Sequence, residues 1–301
     1  MIRQTVNNQL RGVLKYHEPM SRHTSWRVGG PADIFYIPAD QDDLSAFLAQ
    51  QAGGETYTWL GLGSNMLVRD GGIRGTVIAI SGVLDDITLI GDRSLKIGAG
   101  ARCAKVARFA ANSGLTGAEF LAGVPGTFGG ALAMNAGAFS GETWDLVVCA
   151  ETINHSGETL VRSRDKFEIG YRTVGLSEEE WFISAQIELQ SDHNKSANRR
   201  IRDLLAQRAR TQPMGERSCG SVFRNPKNDH AARLIDECGL KGARIGNARV
   251  SDKHANFIIN DGSATAADIE NLILHVQQVV IDKFGIKLEA EVDIVGVDVS
   301  E

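Results

Sequence analysis

Apolar residues recur at helical spacing in some stretches of the chain and form short runs in others. Leu44, Phe47 and Leu48 predict a helix that Gly53-Gly54 should stop. Residues 102–113 predict a second helix, with Val106, Phe109 and Ala110 inward and Gly114 just past its end. The segment 196–210 predicts a basic amphipathic helix, with Ile201, Leu204 and Leu205 on one face, that links two lobes. Residues 230–238 form a short helix ending at Gly239, and Ile269, Leu272, Ile273, Val276 and Val280 mark a long one capped by Gly285. Strands are expected at Phe35–Ile37 before Pro38, at Tyr57–Leu60 and at Thr76–Ile80. Ile87–Ile90 and Leu95–Ile97 read as a hairpin, and further strands follow at Val147–Ile153, Phe182–Leu189, Phe257–Ile259 and Leu288–Val295. The order is mixed α+β, with no strict strand–helix alternation and no internal repeat.

A length of 301 residues suits two domains or one large divided one. Glycine is the compositional outlier, with 33 residues. Without a collagen period, that excess means tight turns and close backbone approaches. The net charge of −5 argues against a nucleic-acid partner, though not against a local basic pocket for a phosphorylated small molecule. Cys103, Cys149, Cys219 and Cys238 form no CxxC pair and no ligand spacing with histidine, so reduced thiols and no metal are expected. The N-terminal stretch lacks the apolar core of a signal peptide, and no window reaches the ~18 apolar residues of a membrane span. A cytoplasmic protein without membrane insertion is expected.

Two glycine-rich segments carry candidate chemistry. Gly61-Leu62-Gly63-Ser64-Asn65 follows a strand but lacks the third glycine and the helix of a dinucleotide fingerprint. On its own it is either a structural turn or a nest of backbone N–H groups for an anion. Gly123-Val124-Pro125-Gly126-Thr127-Phe128-Gly129-Gly130, running on to Asn135, has little side chain to pack and much backbone to present. It suits close contact with a flat ring or a pyrophosphate, and two such loops in one chain favour a ligand over a tight crossover.

Both loops resemble the FAD-binding loops of the UDP-N-acetylenolpyruvoylglucosamine reductase (UDP-N-acetylmuramate dehydrogenase) family. His23–Ala32, Gly170-Tyr171-Arg172, Ser218–Pro226, Ser251–Asn260 and Leu288–Val292 resemble further blocks of that family, in order, over nearly the whole chain. The resemblance implies an α+β FAD-binding fold of the vanillyl-alcohol oxidase (PCMH) type. Its subdomains would be residues 1–80, joined by the strand 287–301, and 81–195, with a substrate domain at 196–286. It implies FAD bound by Gly61, Leu62, Gly63, Ser64, Asn65, Gly123, Val124, Pro125, Gly126, Thr127, Gly129, Gly130 and Asn135. It implies NADPH as co-substrate and reduction of UDP-N-acetylglucosamine enolpyruvate to UDP-N-acetylmuramate, a step in peptidoglycan precursor synthesis, by a monomer.

In that reading Arg172 grips the substrate carboxylate and holds the enolate charge, because a guanidinium is planar, bidentate and permanently charged. Ser221 gives the proton, and Glu291 orients or polarises the carboxylate. Tyr171, Asn225 and His254 match substrate-contacting positions. Glu289 lies two residues from Glu291, on the same face of an expected strand, and only the family pattern selects between them. Ala290 and Asp293 depart from the proline and basic residue common in the family. The segment Thr173–Trp181 holds no tyrosine, which is similar to the shorter, second branch. The basic helix is either a solvated face or a contact for the UDP pyrophosphate or the NADPH 2′-phosphate. The alternatives are a flavin-dependent oxidase of the same fold and a non-catalytic flavin or nucleotide-sugar sensor.

Overall fold

Thr265 accepts a hydrogen bond from the Asp268 backbone while Asp268 reaches back to the Thr265 N–H, a capping box that opens the longest helix. The computed structural model describes residues 10–50, 55–177 and 179–299. The expected Gly53-Gly54 stop and the first nine residues lie outside them. Six α-helices occur among the described residues: α1 (Gln41–Gln50), α2 (Cys103–Asn112), α3 (Phe128–Ala133), α4 (Ala197–Thr211), α5 (Ala231–Glu237) and α6 (Ala266–Phe284). None is long and apolar enough to cross a membrane.

The chain divides into two compact units. The first holds residues up to Tyr16, Ile34–Gly61 and Gly75–Ile201. The second holds His17–Asp33, Leu62–Arg74 and everything from Arg202. In the first, an antiparallel sheet runs in the order Thr159–Ser163, Val147–Asn154, Glu180–Glu188, Ser94–Gly98, Ile87–Ile90. Another part of this unit pairs Tyr57–Leu60 in parallel with residues 76–79, over a core containing Tyr36, Leu44, Phe47, Leu48 and Ile78.

In the second unit, α6 buries Ile269, Leu272, Ile273, Val276 and Val280 against a three-stranded sheet of Arg244–Ile245, Ala248–Val250 and Ile258–Asn260. Gly285, at φ +68°, ends the helix in the left-handed conformation that glycine adopts without cost. The Asp70 carboxylate accepts from the N–H groups of Ala266 and Ala267 at the other end. The four cysteines are unpaired, and burial pushes the Cys103 and Cys219 thiols up to about 12.

Two expectations need correction. The second glycine segment is not all loop, for it contains α3, whose N-cap Thr127 accepts from Gly130 N–H. A Cβ at Gly129 would stand 2.7 Å from that of Ala99, so this helix can form only with glycine there. The last strand is only Asp293–Val295, parallel to Met66–Val68. The residues before it bond to several different elements: Gln277 Nε2 donates to Leu288 O, Arg224 N to Glu289 O, and Glu291 N to Val222 O. No single ladder forms, so strand alternation does not govern Glu289 and Glu291.

The segment Glu119–Gly123, which leads into the second glycine loop, is anchored through Glu119. Its carboxylate accepts from Arg200 Nε at 3.0 Å, Thr116 Oγ1 at 2.8 Å and Gly117 N at 2.7 Å. Burial alone would push this carboxyl up, but the hydrogen bonds from Arg200, Thr116 and Gly117 outweigh it and hold it below the ordinary value. The folded value is the lower one. Its stabilising effect is therefore complete above the ordinary glutamate range, about 4.3, and is lost as pH falls through the folded value. Glu119→Gln should lower the melting temperature at pH 7 by a few degrees and flatten the acid side of the stability profile below about pH 4. Thermal unfolding from pH 3 to 8 reads both. An acid limb identical to the parent's would contradict this role.

Candidate functional site

The first glycine loop follows the strand Tyr57–Leu60, as its position in the sequence suggests. A Cβ at Gly61 would stand 2.4 Å from Thr127 Oγ1, so the loop's first residue lies directly on the second glycine loop. In the second unit, Gly63 has φ +59°, and a Cβ there would stand 2.0 Å from His23 O. Gly63 O accepts from Ser25 N, and Cys219 Sγ lies 3.5 Å from Met66 O. Three separated sequence blocks thus meet around one glycine backbone.

Asn65 closes that loop. Its side-chain amide donates to Glu291 O at 2.9 Å, and its carbonyl accepts from Asp293 N at 2.9 Å. The Ser221 segment joins the same arrangement, because Val222 O accepts from Glu291 N at 2.7 Å and Phe223 bridges Ala290. On its other side it is held by Asn256, a buried residue not anticipated from sequence. Asn256 Oδ1 accepts from Phe223 N, its Nδ2 donates to Phe223 O, and its carbonyl accepts from Val222 N. The backbones bearing Ser221 and Glu291 therefore lie side by side. Asn225 uses its side-chain oxygen on Ala231 N at the start of α5. The ring of His254 packs edge-on against Phe257, and its pKa is lowered by burial and by Lys241.

The second loop and Arg172 belong to the first unit. Tyr171 and Arg172 make the two-residue turn between the strands Glu168–Gly170 and Thr173–Gly175. Arg172 has φ +55°, a conformation costing a side-chain-bearing residue about 1–2 kcal/mol. Its guanidinium is held by Asn135 O at 3.3 Å and Gly137 O at 3.0 Å and stacks over the Tyr171 ring, 4.9 Å from the centroid. Glu142 Oε1 lies 3.8 Å away. Gly137 allows this approach, since a Cβ there would crowd Arg172 Nη1 at 3.2 Å. Glu142 was missed from sequence. It follows a turn in which Phe139 and Ser140 both have positive φ between the paired residues Ala138 and Gly141, a geometry that the Phe-Ser pair does not announce in sequence.

These residues fit an extended flavin dinucleotide. Gly126 sits at φ +144°, Gly130 points its missing side chain at open space save Thr127 Oγ1 at 3.7 Å, and the loops present backbone rather than bulk.

A model of an FAD binding domain matches residues 32–163, and a model of the UDP-N-acetylenolpyruvoylglucosamine reductase C-terminal domain matches residues 212–295. The UDP-N-acetylenolpyruvoylglucosamine reductase of Methylococcus capsulatus is 56% identical over 286 residues, spanning 95% of this chain and 94% of that protein. That of Nitrosococcus oceani is 54% identical over 287 residues, spanning 95% and 96%. The crystal structure of the corresponding reductase from Thermus caldophilus aligns with a TM-score of 0.82 at 33% identity, covering 95% of this chain and 100% of that one. Loops shaped for a dinucleotide, an FAD-binding domain and near full-length identity converge: the chain belongs to the UDP-N-acetylenolpyruvoylglucosamine reductase family and is an FAD-containing oxidoreductase.

Proposed function

We propose that this enzyme uses NADPH to reduce UDP-N-acetylglucosamine enolpyruvate to UDP-N-acetylmuramate, with Arg172, Ser221 and Glu291 as the catalytic residues. The observation that carries the reading is the pairing of the Ser221 and Glu291 segments through Val222, beside the first glycine loop. FAD, when bound, supplies the two-electron carrier between NADPH and the enolpyruvyl methylene carbon. Every other task falls to the chain.

The two loops, Gly61 to Asn65 and Gly123 to Gly130, hold the cofactor through backbone amides and small side chains. Arg172 enters the reaction already oriented, held by two carbonyls and an aromatic face. Little reorganisation remains when it binds a carboxylate and holds the negative charge that grows beside it. Ser221 delivers its hydroxyl proton to the adjacent carbon. A free serine is a weak acid, but a carbon anion is basic enough to take the proton from a well-placed hydroxyl. Glu291, its backbone fixed by Val222 and Asn65, orients the substrate carboxylate. Tyr171, Asn225 and His254 are the substrate contacts in this reading, and His254 stays neutral at pH 7 because burial disfavours its cation. The division at residues 80, 195 and 286, monomeric working and a cytoplasmic location belong to the same reading.

Ser221→Ala separates the two half-reactions. Anaerobic NADPH should still bleach the flavin at close to the parent rate, while reoxidation by the enolpyruvyl ether is lost. Equal loss of both halves in stopped-flow absorbance would sink the assignment of Ser221 as proton donor. Arg172→Lys keeps the charge but not the fork, and it should lower kcat/KM for the enolpyruvyl substrate by about 10–100-fold, the scale of a charge-assisted hydrogen bond. Steady-state kinetics with each substrate varied in turn decide this. A change confined to NADPH would contradict the role.

A further inference from the structure

Asn135 follows the second glycine loop, and its side-chain polar atoms are engaged within the protein. It is 1% exposed and has φ +44°, a left-handed conformation that asparagine tolerates better than most residues. Its amide nitrogen donates to Glu142 Oε2 at 2.9 Å and to Gly170 O at 3.0 Å, which takes up both N–H bonds. Its side-chain oxygen accepts from Trp144 N at 3.1 Å. The amide orientation is fixed, because a flip would set NH₂ against the Trp144 N–H and oxygen against two acceptors. The backbone is engaged as well: Asn135 N donates to Leu132 O, and Asn135 O accepts from Arg172 Nη1.

The partners converge on one residue. Gly170 immediately precedes the Tyr171-Arg172 turn, Glu142 is the carboxylate beside the guanidinium, and Asn135 O is one of its two carbonyl supports. We propose that Asn135 is a positioning residue for Arg172 rather than a flavin ligand. It fixes the strained turn from one end and the guanidinium from the other, so the flavin loop and the carboxylate-binding arginine form one rigid piece. This rests on the reading of Arg172 given above.

Asn135→Gly is the direct test, since glycine accepts the positive φ and only the side chain is lost. The flavin retained per chain after gel filtration of the purified holoenzyme should match the parent. The enolpyruvyl half-reaction should lose about tenfold in kcat/KM, as for loss of a buried hydrogen-bonding group, with NADPH-driven flavin reduction within about twofold. Combined with Arg172→Lys, the two losses should be clearly less than additive. Flavin lost in step with activity would make Asn135 a cofactor ligand, and equal damage to both half-reactions would make it merely structural. Either result overturns the proposal, as do unchanged enolpyruvyl kinetics. If Arg172→Lys itself leaves the enolpyruvyl half untouched, the reading of Arg172 fails first. If only Asn135→Gly is silent, the positioning role alone fails. Should Asn135→Gly not fold, Glu142→Gln is read on the same half-reactions: a selective enolpyruvyl effect supports the proposal, and an effect shared equally or absent overturns it.

Discussion

Glycine backbone packed too closely against its neighbours for a Cβ to intervene is the constraint on which the candidate site depends. Gly61 against Thr127, Gly63 against His23 and Gly137 beside Arg172 each leave under 3.3 Å for the atom a side chain would add. These contacts fix loops that have almost no side chains of their own. Stiffness therefore comes from what the loops touch. The glycine excess is the compositional trace of that arrangement.

Around these loops the polar residues act chiefly on the main chain. Asn65 holds the Glu291 segment, Asn256 the Ser221 segment and Asn135 the turn before Arg172. Asparagine suits the task because one short side chain offers two donors and an acceptor in a plane. Charge is used sparingly at the same places. The Arg172 guanidinium lies 3.8 Å from the Glu142 carboxylate, within range to be oriented by it. Farther away, Glu119 with Arg200 and Arg69 with Glu270 form two-pronged pairs that fasten segments flanking the loops.

Much of this was legible in the sequence because it is local. The period of α6, its Gly285 cap, the hairpin at Ile87–Gly98 and the strand leading into the first loop all follow from spacing and turn chemistry. The family was legible because its blocks stand in order. Helix α3 was not, since glycine at 129 and 130 argues against a helix until Ala99 is seen filling the space. Nor was the irregular course of Leu288–Val292, whose partners lie 11 to more than 200 positions away in sequence. Glu142 and Asn256 escaped for the same reason: their importance is a matter of which groups the fold brings to them. Local pattern gives elements, while the hydrogen-bond partners of a site residue are a property of the tertiary structure.

The central claim is that reducing equivalents pass from NADPH to an enolpyruvyl ether on this protein. Its most direct test is absorbance at 340 nm under anaerobic conditions, with purified flavin-loaded enzyme, NADPH and UDP-N-acetylglucosamine enolpyruvate. Sustained NADPH loss that requires the enolpyruvyl substrate is the result predicted. A single stoichiometric bleaching of flavin, with turnover beginning only when oxygen is admitted, would contradict the account and identify an oxidase.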